Sequence, residues 1–168
     1  MAATYSLISS TTIGSGGAAN IEFTSIPATY TDLVLKISTR QSVNDASSGY
    51  YYDVTFNGTS SNRTGRYLQG SGSTAVSGTY TLWGASVSSD FTSNTFSNGE
   101  LYIPNYASAN NKPALLSSVQ ENNATLSRVI LSAGLWSDTS VITSIKLTPA
   151  GGNFAQYTTA YLYGISNA

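Results

Sequence analysis

Histidine and cysteine are both absent from this chain. Without histidine there is no imidazole to act as a general base near neutral pH, and every Ser-His-Asp arrangement is excluded. Without cysteine there are no disulfides, thiolate nucleophiles or thiolate metal ligands. Zinc, which draws on His or Cys at nearly every protein site, is excluded with them. Charge is the next scarcity. Lys and Arg number 7, Asp and Glu 8, and the charged fraction is 9%, against about 25% in ordinary soluble domains. Nucleic-acid binding takes most of its affinity from clustered cations, and the nearest approach to a cluster is Arg63 with Arg66. Neither an extended nucleic acid nor an anionic membrane surface fits that distribution. No apolar run nears the roughly 20 residues that span a bilayer. The opening MAATYSLISSTT lacks the basic start and apolar stretch of a signal peptide.

Hydroxyls fill the gap left by charge: Ser and Thr supply about fifty residues, with Asn and Gly behind them. Yet 40% of the chain is hydrophobic and Tyr alone contributes 12 residues, so this is not a disorder composition. A length of 168 residues fits one domain, able to bury roughly two-thirds of its unfolded surface. The expectation is a single domain over 1–168, with 1–17 an N-terminal arm or an edge strand.

Apolar residues alternate with period two, between clusters of Gly, Asn, Asp, Ser and Pro. Over 32–40, Leu33, Leu35 and Ile37 oppose Val34, Lys36, Ser38 and Arg40. Over 50–56, Tyr50, Tyr52, Val54 and Phe56 oppose Tyr51, Asp53 and Thr55. Val141, Thr143, Ile145 and Leu147 oppose Ile142, Ser144 and Lys146, and Tyr161, Tyr163 and Ile165 oppose Ala160, Leu162 and Gly164. Weaker runs lie at 4–9, 19–25, 79–85, 99–104, 113–120 and 128–134. These make about ten strands at the spacing of a sandwich or barrel. No window carries a helical apolar stripe; the best helical chance is one turn over Thr64–Gln69. Parallel βα folds need crossover helices, so the pattern predicts an all-β antiparallel sandwich of about 8–10 strands. Polar loops are expected at 42–49, 59–65, 84–98 and 104–113.

What chemistry remains is carboxylate chemistry, which in glycosidases needs two carboxyls about 5–10 Å apart. The pool is Glu22, Asp32, Asp45, Asp53, Asp90, Glu100, Glu121 and Asp138. Asp53 and Glu100 lie in strand-like runs, where single solvated charges are the plainer reading. Asn44 and Asp45 before Ser47 and Ser48 form an oxygen-rich loop that could hold calcium, but it lacks the spaced acidic ligands of an EF-hand, and Asx-turns without metal are the plainer reading. The glycines of GSGG (14–17) and GSG (70–72) match neither a P-loop nor a dinucleotide loop. No enzyme activity, metal or cofactor is expected. The candidate interaction surface is aromatic: Tyr50, Tyr51, Tyr52, Tyr67, Trp83, Tyr102, Tyr106 and Trp136. Such rings on a hydroxyl-rich surface stack on sugars or anchor protein interfaces, or else pack in the core.

The segment IEFTSIPATYT (21–31) followed by DLVLKISTR resembles small structural proteins of tailed bacteriophages, especially those of cyanobacterial and other aquatic hosts. ELYIPNYASANNKPALLSSVQENNAT (100–125) and LWSDTSVITSIKLTPAGGNFAQYTTAYLYGIS (135–166) are similar to the same group. The resemblance implies a jelly roll on the virion surface. It implies a capsid decoration, or cement, protein that bridges capsid subunits, with itself (as a homotrimer) and the major capsid protein as partners. A tail-fibre or spike module binding host-surface glycan is the alternative. Synthesis in the host cytoplasm is expected in either case.

Overall fold

The computed structural model describes residues 4–44, 50–81, 83–123 and 126–166. Among them are twelve strands. In chain order they are β1 (Tyr5–Thr12), β2 (Ile21–Phe23), β3 (Asp32–Ser38), β4 (Tyr50–Phe56), β5 (Arg63–Gly70), β6 (Ala75–Thr79), β7 (Trp83–Ser86), β8 (Asn98–Ile103), β9 (Lys112–Glu121), β10 (Ser127–Trp136), β11 (Ile145–Pro149) and β12 (Thr159–Ile165). All pair antiparallel, in an eight-stranded sheet ordered β1-β12-β3-β8-β9-β10-β5-β6 and a four-stranded sheet ordered β2-β11-β4-β7. Setting aside the hairpins β5–β6 and β9–β10 leaves eight strands, first-eighth-third-sixth facing second-seventh-fourth-fifth. That interleaving is the double Greek key of a jelly roll. The two hairpins are insertions, and both extend the large sheet beyond β8.

The alternation expected from the sequence produces the core between the sheets. Leu33, Leu35 and Ile37 of β3, Leu101 and Ile103 of β8, and Ala160 and Leu162 of β12 meet Tyr52, Val54 and Phe56 of β4 and Ile145 and Leu147 of β11. Val34 points the other way and is buried as well, between its cross-strand neighbours Tyr102 and Tyr163. Tyr52 sets a sharper constraint. Its phenol crosses between the sheets where a Cβ on Gly84 of β7 or Gly99 of β8 would overlap it. Only glycine admits a ring at that distance. Burial pushes the Tyr52 pKa far up, and its hydroxyl is buried without a partner among the described residues.

Two cations organise the loops. Arg40 donates from both guanidinium nitrogens to four carbonyls, those of Ser89 (2.8 Å), Phe91 (3.0 Å), Thr92 (3.1 Å) and Thr95 (2.9 Å), and so gathers the long β7–β8 connection. Lys112 is fully buried; its Nζ donates to the carbonyls of Ser108 (2.8 Å), Asn110 and Asp138 (3.4 Å). A buried ammonium is tolerated because its protons are taken up in this way.

The structure departs from the sequence expectations at four places. The strand count is twelve, not 8–10. Thr64–Gln69 is the body of β5 rather than a helical turn, and the expected 59–65 loop ends at Asn62. The strand expected over 79–85 divides: β6 ends at Thr79 and β7 runs to Ser86, so the following loop starts later than Gly84. Over 141–144 the Asn57 side chain takes the place of a neighbouring strand. Its Oδ1 accepts from Thr143 N (2.8 Å) and Ser144 N (3.1 Å), and its Nδ2 donates to Val141 O (2.8 Å). The face flips there, so that Ile142 is buried with Ile145 and Leu147. Of the two alternatives for the N-terminal segment, β1 takes that of an edge strand, laid on β12. Asp45, Ser47 and Ser48 of the calcium candidate lie outside the described residues.

The Tyr52 crossing generates a double-mutant prediction. Gly99→Ala should cost about 1–3 kcal/mol by overpacking in urea denaturation. In a Tyr52→Phe background most of that cost should vanish, because the hydroxyl is the one atom within 3 Å of the added methyl. An undiminished cost in that background would show that another contact is responsible.

Candidate functional site

Eight strands cannot be covered by four. The inner face of the large sheet runs past β7, the edge of the small sheet: Ala114 and Leu116 of β9 still lie in the main core, while Ile130 of β10 packs with Trp83 and Ala85 of β7. An edge strand carries unpaired backbone groups that must find partners once buried. Here serines supply them: Ser118 Oγ of β9 accepts from Ala85 N (2.9 Å), and Ser132 Oγ of β10 donates to Trp83 O (3.0 Å). Past that edge, β5 closes over the outward face of the small sheet. Arg63 forks onto Asp53 (2.9 and 3.0 Å), which also accepts from Thr81 Oγ1 (3.3 Å). A second hydrophobic cluster forms in the fold, made of Trp83, Ala85 and Ile130 with Tyr51 and Tyr67 packed against it.

Trp83 is the centre of this cluster. Tyr51, Tyr67 and Tyr80 stand edge-on to it at 4.0, 5.2 and 5.6 Å between ring centroids, with interplanar angles of 77°, 62° and 84°. Tyr67 is held by its strand partner Gly78: a Cβ there would lie 2.9 Å from the ring. Together with Gln69, these four aromatics line a cavity of about 210 Å³. Arg128 donates to the Tyr51 hydroxyl (2.7 Å), with its guanidinium 6.0 Å from the ring centroid, within cation–π range. Burial raises the Tyr51 pKa against the opposing pull of Arg128. The Trp83 Nε1–H is buried and has no acceptor among the described residues.

Of the eight aromatic candidates, the fold brings Tyr51, Tyr67 and Trp83 together. It separates the rest. Tyr52, Tyr106 and Trp136 are core residues, exposed by 1%, 0% and 1%, and are not available as an interaction surface. Tyr106 donates to the carbonyl of Pro27, and Trp136 packs on Phe56 with ring centroids 5.6 Å apart. Tyr50 is half-buried against Gly151, and Tyr102, on the outward face of the large sheet, donates to Asp32 (2.9 Å). Tyr80 and Gln69 were not singled out, since β5 itself was not foreseen; the signal available was Tyr67-x-Gln69, which places both on one strand face.

The carboxylates have structural tasks. Asp53 holds Arg63, Glu100 pairs with Lys36, and Glu22 faces Lys146 at 3.8 Å. Asp32, Glu121 and Asp138 accept from the backbone N–H groups of Asn105, Asn123 and Ser140, and Asp90 accepts from Ser88. Asp53 and Glu100 sit on the outward faces of different sheets, so they share no cleft. Among the described residues no group of three or more acidic side chains could hold a metal ion.

The outer face of the inserted hairpins is a second feature. In register across β9, β10 and β5 lie Leu115, Val119, Val129, Leu131, Leu135 and Leu68. They are exposed by between 38% (Leu135) and 62% (Val129). Asn98, Glu100, Arg66 and Thr64 border them. The signal was present in the sequence, for over 113–120 and 128–134 apolar residues fall on both parities, as in strands covered on both faces.

In comparisons with known proteins, the chain matches no family model, no curated protein and no solved structure.

The serine contacts at β7 are directly testable. Ser118→Ala leaves the buried Ala85 N–H without an acceptor and should cost about 1–3 kcal/mol. Hydrogen exchange at the Ala85 amide should quicken more than at the neighbouring Ser86. Unchanged exchange at Ala85 would mean that the hydroxyl does not hold this edge.

Proposed function

We propose that this chain is a structural protein of a bacteriophage virion, a capsid decoration protein that bridges shell subunits and acts by binding rather than by catalysis. The observation that carries the reading is the exposed aliphatic face of β9, β10 and β5, on a surface otherwise rich in hydroxyls and poor in charge. Contiguous exposed apolar surface of this kind marks protein–protein contact sites. Its six aliphatic side chains, each roughly half exposed, would contribute on the order of 5–9 kcal/mol if covered. That is comparable with the lower range of association costs, about 4–15 kcal/mol.

The occupant we assign to this face is another copy of the chain. The centre of the face carries no charge, and its border offers both a cation, Arg66, and an anion, Glu100. This is the apolar centre and polar rim of a contact between copies. A homotrimer joined in this way presents several copies of its remaining surface to a symmetric shell, where weak contacts add through avidity. The resemblance of 21–40, 100–125 and 135–166 to phage structural proteins supports the same role, as does the jelly-roll strand order.

Sedimentation of the purified chain should show an oligomer, and Val129→Lys with Leu131→Glu should convert it to a monomer with an unchanged β circular-dichroism spectrum. A wild-type monomer overturns the assignment of the face. In electron micrographs of virions mixed with gold-labelled protein, label should decorate the shell; label confined to the tail overturns the decoration role.

A further inference from the structure

We infer that the cavity enclosed by Tyr51, Tyr67, Gln69, Tyr80 and Trp83 is a binding site for a single pyranose ring. Four aromatic side chains from three separate segments of the chain converge on it: Tyr51 on β4, Tyr67 on β5, and Tyr80 and Trp83 around the start of β7. A sugar is amphipathic, with C–H faces that stack on aromatic rings and hydroxyls at its edge. This site has both kinds of partner. The rings form apolar walls, the Gln69 amide carries a donor and an acceptor, and the tyrosine hydroxyls add polar tips. At about 210 Å³ the cavity is smaller than the roughly 300–1,000 Å³ of pockets that take drug-sized molecules. One ring fits that scale better than an oligosaccharide.

Two further observations bear on the ligand. Trp83 lines the cavity while its indole N–H is turned into the packed cluster, buried with no acceptor among the described residues, so the ring contributes an apolar wall. Perpendicular aromatic walls also suit quaternary ammonium ions, but here the Arg128 guanidinium already lies against Tyr51, and no carboxylate is among the lining residues. That electrostatic setting disfavours a second cation and favours a neutral or acidic sugar. The lining residue Tyr80 is 56% exposed, which leaves the cavity reachable from solvent. The cavity lies on the opposite side of β5 from Leu68, so a bound sugar and a partner copy do not compete for the same surface.

The chain has two tryptophans, and Trp136 is sealed in the main core. The two indole N–H resonances of the ¹⁵N-labelled protein, assigned with Trp136→Phe, therefore report the cavity and the core separately. We expect at least one of methyl α-glucoside, methyl α-galactoside, methyl β-N-acetylglucosaminide and N-acetylneuraminic acid to shift the Trp83 resonance saturably while that of Trp136 stays still. Tyr80→Ala and Gln69→Ala should each weaken that binding about tenfold, or ~1.4 kcal/mol, with the urea midpoint unchanged. Three results would overturn the inference: no response to any of these sugars, a response to tetramethylammonium in their place, or a sugar response that survives both substitutions.

Discussion

The β7 edge is the feature on which this molecule turns. A jelly roll made of eight strands places four against four and needs nothing more. Here two inserted hairpins double one sheet and leave the other as it was. The surplus must bury its inner face somewhere, and the only surface within reach is the far side of the small sheet. To get there the large sheet passes around β7, whose open hydrogen-bonding edge is thereby taken out of water. Hydrophobic side chains at positions 118 and 132 would strand the Ala85 N–H and the Trp83 carbonyl. Serines at both places satisfy them, which accounts for these two inward-pointing polar residues beside Leu116 and Ile130.

From that turn the rest follows. Arg63 and Asp53 pair across the fold: the Arg63 side chain is only 6% exposed while Asp53 keeps 36% of its own in solvent, so the pair joins β5 to β4 at the rim of the covered face. Trp83 is pinned on the outward face of β7 by the strand that folds over it. Tyr52, one residue along the same sheet, points the opposite way into the main core through the space left by Gly84 and Gly99. The consecutive tyrosines 51 and 52 thus belong to different cores on the two sides of the small sheet.

The sequence was most legible where core-facing apolar residues recur at every second position. Leu33, Leu35 and Ile37, and Val54 and Phe56, could be assigned from alternation alone, and the absence of helical periodicity settled the class. β5 was illegible because RTGRYLQG offers no apolar alternation: its inward residues are Arg63, Gly65, Tyr67 and Gln69, whose burial depends on a tertiary fold-over that no local pattern encodes. Residues 141–144 failed for the opposite reason. Their alternation was strong, but the Asn57 side chain supplied the hydrogen bonds that a neighbouring strand would have made. Among the aromatics, composition could say that some would be exposed but not which. Tyr106 and Trp136 were drawn into the core by partners distant in sequence, Pro27 and Phe56.

Alternation on β5 finally explains how one short strand can serve two surfaces. Arg66 and Leu68 face outward beside Leu131 and Ala133, while Tyr67 and Gln69 face inward toward Trp83. The pleat separates the two sets by the thickness of a sheet. A partner laid on the aliphatic face would therefore neither fill nor close the aromatic cavity, and would bury the outer side of the strand that shapes it. Covering that side removes the solvent competition that lets edge-proximal strands open locally. Assembly through the outer face would accordingly make the positions of Tyr67 and Gln69 more rigid, without any contact to either.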